Sequence, residues 1–360
     1  MHALVRASSV HSVVRVTGNF ASENPLHPAA REALLAAFDQ GWADPKKLSQ
    51  SSSRAAILRN HAIENIAGRL GLPVASIEIL GEPSLGHYLS IAGLSKNTSA
   101  FAYSAVDKGK IRAIARSHSG EVIQLPVNES GAILDYASIP DNSVLSLQLA
   151  NGETGVIQSG FESIPKSARI AIDATASGPH ISLPDRWSTA LFDASAWNGP
   201  SGLAIMAIKN PAEFTYPLPH IAPIRTPGSS SLPLLIASSI ALENFSAVDT
   251  SLREYALTEL ARLESIQVVA PSVAALPHLF SVVADGVTGE YVVRELAAQG
   301  IDIDSGSACS PEDLQPSHVL AAMGYPTSGH LRFTLHDGVT REEISTLVSA
   351  VSVVVQKLRG

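Results

Sequence analysis

Two kinds of apolar pattern alternate along the chain. In Pro28–Gln40 (PAAREALLAAFDQ) the apolar residues recur at spacings of three and four, which predicts a helix. Arg54–Leu72 repeats the pattern, with Ile57, Leu58, Ile63, Ile66 and Leu70 on one side. Between and after them come short apolar runs that predict strands: 76–80 (SIEIL), 121–125 (EVIQL), 144–149 (VLSLQL), 169–172 (RIAI) and 203–208 (LAIMAI). Runs that are apolar throughout suit parallel strands covered on both faces. The alternation predicts an α/β fold with a mostly parallel sheet. After about residue 245 the pattern changes to helical stretches near 246–266 and 289–299, then short strands and a closing helix from Arg341. This divides the chain into a large domain over 16–240 and a smaller α/β domain made of 1–15 with 241–360.

Composition narrows the function classes. Apolar residues make up 45% and charged residues 16%, so a large core can be buried and disorder is excluded. The net charge is −8, and no long basic run offsets it. Nucleic acid and anionic membrane surfaces are therefore not expected partners. The stretch Leu232–Leu242 (LPLLIASSIAL) is interrupted by serines and too short to span a bilayer. Residues 1–15 mix His, Arg and Ser with apolar residues, unlike a secretion signal, so a cytoplasmic location is expected. The single cysteine, Cys309, excludes an internal disulfide framework and a cysteine-rich zinc site.

Four segments could carry chemistry. The first, Leu80–Gly86 (LGEPSLG), follows a strand, where a glycine turn can admit a phosphate to backbone N–H groups or can simply be a turn. The second, Ala150–Ser159 (ANGETGVIQS), is a polar loop after a strand, the usual ligand position in α/β folds, or else a solvated connection. In the third, Asp173 ends the run RIAID, and Trp197 to Gly202 (WNGPSG) makes a rigid turn into the next strand. Asp173 there is either a ligand group or a helix cap. The fourth, 305–324 (SGSACSPEDLQPSHVLAAMG), sets Cys309 in a small-residue loop ahead of His318. Such a thiol is either a small buried hydrophobe or an accessible nucleophile.

In order and spacing these segments resemble the cysteine desulfurases of the class V aminotransferase group, which are fold-type I pyridoxal 5'-phosphate enzymes. The likeness is closest in SGSACSPEDLQPSHVL and HLRFTLHDGVTREEI, with AIDATASG, ANGETGVIQ and IRTPGSSS at the corresponding places. The resemblance implies a PLP-dependent transferase fold and a homodimer acting on a small amino-acid-like ligand. By the same likeness, Asp173 would pair with the cofactor's ring nitrogen, and Gly81 would lie in the phosphate turn. Tyr103 would occupy the ring-stacking position, and Ser195 the place just before the cofactor lysine. Ser229 would touch the phosphate from the partner subunit. Cys309 would be the sulfur-accepting nucleophile, and Arg332 the fork that binds the substrate carboxylate.

The departures fall on the cofactor's anchor points. The Schiff-base lysine position holds Ala196, and the closest lysine in sequence is Lys209. Ala176 stands for a Gln, Gly152 for an Asn, Thr226 for an Arg beside Arg225, and Glu82-Pro83 for small and hydroxyl residues. Three readings follow. One is a working PLP-dependent desulfurase or aminotransferase relative. Another is a pseudoenzyme with a degenerate cofactor site and a binding or regulatory role. The last is PLP-independent thiol or persulfide chemistry at Cys309. The lost anchors favour the second.

Overall fold

The computed structural model describes residues 17–40, 43–220, 231–306 and 316–360. A short strand β1 (Asn19–Phe20) leads into helices α1 (Pro28–Gln40) and α2 (Gln50–Leu70). The pattern-based limits of α1 are met. α2 begins four residues earlier than its periodicity suggests, because Ser49 accepts the Ser52 N–H and caps it. It ends at Gly71, whose φ of 67° is left-handed, as helix-terminating glycines commonly are.

Next come β2 (Ile77–Leu80), α3 (Pro83–Ala92), β3 (Ala100–Ser104), α4 (Gly109–Ser117), β4 (Glu121–Leu125) and β5 (Val144–Gln148). They are followed by β6 (Arg169–Asp173), β7 (Thr189–Asp193), β8 (Ala204–Ile208) and α5 (Leu232–Glu243). These strands form one seven-stranded sheet in the order β2-β8-β7-β6-β5-β3-β4. Its central pairs are parallel, and β8 runs against both neighbours. Both faces are covered. Ile172, Leu145, Phe192 and Ile205 pack with Ile63 and Ile66 of α2 and Leu235 of α5 on one side. Phe101, Ala171, Leu191 and Met206 pack with Leu89 of α3 and Ile111 of α4 on the other. That double coverage is why β5, β6 and β8 read as continuous apolar runs.

The remaining elements are α6 (Thr250–Leu260), β9 (Ile266–Val268), β10 (Leu279–Ala284), α7 (Gly289–Ala297), β11 (Asp302–Ile303), α8 (His318–Met323), β12 (His330–Thr334) and α9 (Arg341–Arg359). β12, β10 and β9 form an antiparallel sheet with its own core, in which Phe280, Val282, Leu331 and Phe333 meet Leu296, Ile344 and Val351. Phe20 joins this core, because β1 pairs with β11. The helix expected over 246–266 is shorter: Asp249 caps α6 at its start, and the chain then turns through 261–265 into β9. Residues 1–16 lie outside the described part of the chain, including the terminal segment assigned to the smaller domain. No helix among the described residues is long and apolar enough to cross a membrane.

Candidate functional site

The C-terminal ends of β5, β6 and β7 open onto a cleft of about 260 Å³, closed on its other side by residues of β10 and β12. Strand ends of a mostly parallel sheet are where this architecture places ligands. Among the lining residues are Lys108, Ala176, Ser195, Ala196, His278 and Arg332.

Asp173, the last residue of β6, is 6% exposed. Its Oδ2 lies 3.3 Å from the Lys108 ammonium and 4.0 Å from Nε2 of His87 on α3. Its Oδ1 accepts the Thr175 N–H at 2.9 Å, and the Lys108 ammonium also donates to the Thr175 hydroxyl. Burial alone would raise the Asp173 pKa, but Lys108, His87 and Thr175 bring it down to about 2. The adjacent carboxyl group behaves oppositely. Asp107 is fully buried and pushed up to about 8 by that burial, although it accepts the Ser104 N–H. Lys108 precedes the first residue of α4 and makes no capping bond with its side chain, which leaves the stem free to turn into the cleft.

A tight turn after β7 carries position 196. Asp193 accepts the Ser195 N–H, Asn198 takes a left-handed φ of 56°, and the buried Trp197 indole donates to the Ser238 carbonyl of α5 at 3.1 Å. Gly199 is required there, since a Cβ would lie 2.7 Å from the Ala194 carbonyl oxygen. The turn therefore presents Ser195 and Ala196 to the cleft from a fixed base.

Gly81 opens the β2–α3 connection and does not line the cleft, and Glu82 caps α3. The two Glu82 carboxylate oxygens accept the Ser84 and Leu85 N–H groups at 2.8 and 2.7 Å. Slight burial opposes ionisation, yet these bonds and Lys110 hold the Glu82 pKa below its ordinary value. Lys110 also donates to the Ser84 hydroxyl.

Across the cleft, Arg332 on β12 has Nη2 3.3 Å from Asp304. Among the described residues, Nε of Arg332, the Thr334 hydroxyl and Nδ1 of His278 are buried without a hydrogen-bond partner. His278 stacks on His180 at 4.4 Å between ring centres. Burial lowers His278 to about 3 and His180 to about 4, so both are neutral near pH 7. In the loop after β5, Asn151 orders the backbone by accepting the Glu153 and Thr154 N–H groups. Glu153 then accepts the Ser317 hydroxyl at 2.6 Å, and burial raises its pKa. Gly155 must be glycine, because at φ 75° a Cβ would lie 2.4 Å from the Leu279 carbonyl oxygen.

The cleft thus brings Ser195, Ala196, Gly152, Ala176 and Arg332 together, with Asp173 beneath Lys108 and Thr175. Tyr103, expected at the ring-stacking position, does not line it; its ring stacks on Phe101 at 5.9 Å, beside the core under α3 and α4. The connection after β3 contributes Lys108 instead. The lysine that reaches the cleft is therefore Lys108 and not Lys209, the closest in sequence to position 196. Proximity along the chain pointed to Lys209, whose ammonium instead donates to the Asp185 carbonyl and lies over Trp187. Cys309 and Ser229, with Arg225 and Thr226, lie outside the described residues. Sequence reasoning also missed His180, His278 and His336, which stand in three separate segments and converge only in the folded chain. The described residues hold no cluster of His, Cys, Asp and Glu able to bind a metal.

Residues 227–347 match the family Aminotransferase class-V. The chain is 25% identical to the cysteine desulfurase IscS of Dictyoglomus turgidum, over 95% of this chain and 94% of that one. It is 25% identical to the cysteine desulfurase IscS of Methanosarcina thermophila, over 93% and 91%. Among solved structures, a NifS-like protein superposes with a TM-score of 0.83 at 19% identity, covering 95% of this chain and all of that one. A NifS-like protein from Rickettsia africae gives 0.81 at 18% identity, covering 94% and 99%. These neighbours show the fold to be that of the fold-type I transferases.

Proposed function

We propose that this chain, which belongs to the class V aminotransferase family, is a ligand-binding relative of the cysteine desulfurases that works without pyridoxal phosphate. One observation carries the reading. Among the described residues, Lys108 is the one lysine lining the cleft, and the buried Asp173 carboxylate engages it, while position 196 has no amine. An ammonium held by a carboxylate is not a free nucleophile. A pyridine nitrogen seeking Asp173 would have to displace that ammonium. The residues present do not fit the cofactor.

What the cleft offers is recognition. The Arg332 guanidinium, the Thr334 hydroxyl and Nδ1 of His278 hold unused hydrogen-bonding capacity beside the cleft. A small carboxylate of amino-acid type would pair with the Arg332 guanidinium through charge-assisted bonds. A cytoplasmic homodimer with a binding or regulatory role completes the reading.

The test is calorimetric titration of the purified protein with L-cysteine, paired with a sulfide assay in excess pyridoxal phosphate. Binding without sulfide release is expected. Arg332→Gln should weaken binding by about tenfold or more, since a hydrogen bond to a charged group contributes about 1.5–3 kcal/mol. Sulfide release at ordinary enzyme rates would overturn the reading.

A further inference from the structure

Lys108 and Glu82 occupy the two places where, by the family resemblance, a bound cofactor would present its ring nitrogen and its phosphate. We propose that these side chains are built-in stand-ins for those charges, so that the fold is electrostatically complete without the cofactor. The inference rests on the reading above, but it can fail separately.

At the ring-nitrogen end, a carboxylate as buried as Asp173 needs a cation. The Lys108 ammonium supplies it from 3.3 Å and is steered there by the Thr175 hydroxyl. Small residues flank its stem. A Cβ built on Gly152 would lie 3.7 Å from both the Lys108 Cε and the Ala176 Cβ. Larger side chains at 152 and 176 would compete with the lysine for this space. The other nearby carboxyl group, Asp107, does not draw the ammonium away, because its burial favours the neutral form.

At the phosphate end, the free N–H groups of the first turn of α3 are the natural anion donors. Pro83 has none, and the Glu82 carboxylate takes those of Ser84 and Leu85. A phosphate dianion would meet both a filled site and a like charge. Lys108 and Lys110, two residues apart at the start of α4, reach one end each, Asp173 and Ser84. His87 of α3 lies 4.0 Å from Asp173.

Many kinds of damage would lower the melting temperature, so thermal unfolding is paired with chemical rescue, which tests whether each site accepts the charge it is proposed to hold. Thermal unfolding is followed for the full chain and for Lys108→Ala, Lys108→Met and Glu82→Ala. The additives, at matched ionic strength, are ethylammonium, tetramethylammonium, inorganic phosphate or pyridoxal phosphate. We expect the wild type to be unmoved by every additive. Lys108→Ala should melt about 5 °C or more lower, as loss of one partner of a buried pair in a chain of this size implies. Ethylammonium should restore part of that loss and tetramethylammonium, which has no N–H, none. Phosphate should raise the melting temperature of Glu82→Ala alone. Should Lys108→Ala or Lys108→Met not fold, the double variant Lys108→Met with Asp173→Asn should, because it leaves no unpaired charge. A Lys108→Ala protein that melts with the wild type, or that ethylammonium does not rescue, would overturn the stand-in role and leave the cofactor-free reading intact. A Glu82→Ala protein indifferent to phosphate would overturn it at that end. A wild-type melting temperature raised by pyridoxal phosphate would overturn the proposed function itself.

Discussion

Asp107 and Asp173 lie close enough to influence each other, yet burial neutralises one while Lys108 keeps the other charged. Because the folded Asp173 pKa is about 2, below the unfolded value near 3.8, its stabilisation is present above about pH 4 and fades as the pH falls towards 2. In Lys108→Met that carboxyl group loses its main cationic partner, so its titration should move up and acid destabilisation should begin at higher pH. Urea unfolding at a series of acidic pH values would show the shift; coincident curves for the two proteins would refute the pairing. Ala196→Lys should not create a desulfurase, because Lys108 and Glu82 would still hold Asp173 and the α3 amides. A sulfide assay checks this, and turnover at ordinary enzyme rates in that variant would count against the account. At this scale Asp173 was legible as a carboxylate closing an apolar strand, and Arg332 through its motif. Lys108 was not, since nothing local to it marks a partner on β6. The resemblance put Tyr103 at the ring-stacking position, but its ring stacks on Phe101 instead.

Elements position these residues with different margins. The turn that carries Ala196 is tied to α5 through Trp197, which is 1% exposed and bonded to the Ser238 carbonyl. Trp197→Ala should cost about 3–5 kcal/mol and weaken ligand binding together with stability. Thr340→Ala, which removes one half of the capping box of α9, should cost about 1 kcal/mol and leave binding unchanged. Denaturant unfolding with calorimetric titration of both variants separates the two outcomes. α1 and β4 were legible to the residue, because periodicity and apolar runs mark them. α5 was not marked as a helix: Leu235, Ala237, Ala241 and Leu242 are all buried, and a helix apolar all round shows no stripe. β3 and β7 are five-residue runs that periodicity cannot tell from buried helix segments.

At the scale of the whole molecule, a seven-stranded sheet covered on both faces supplies the floor of the cleft, and the β12-β10-β9 sheet supplies the wall that carries Arg332. The α/β class and the order of the chemical loops could be read from the chain. The convergence of three histidines beside Arg332 could not, because it depends on how separate segments fold together. Leu35, Phe38 and Ile57 on α1 and α2 are more than half exposed in the single chain, which is costly for an apolar surface that stays uncovered. Light scattering should therefore report a dimer of the 37.7 kDa chain, and a monomer mass would contradict that expectation. The central claim is that Lys108, the one lysine lining the cleft among the described residues, is committed to Asp173 and that no cofactor takes its place. The most direct measurement is borohydride reduction of the native protein in excess pyridoxal phosphate, followed by peptide mapping. The account predicts scattered, unsaturable labelling of surface lysines with Lys108 unmodified. A saturable one-to-one adduct on Lys108 would contradict it.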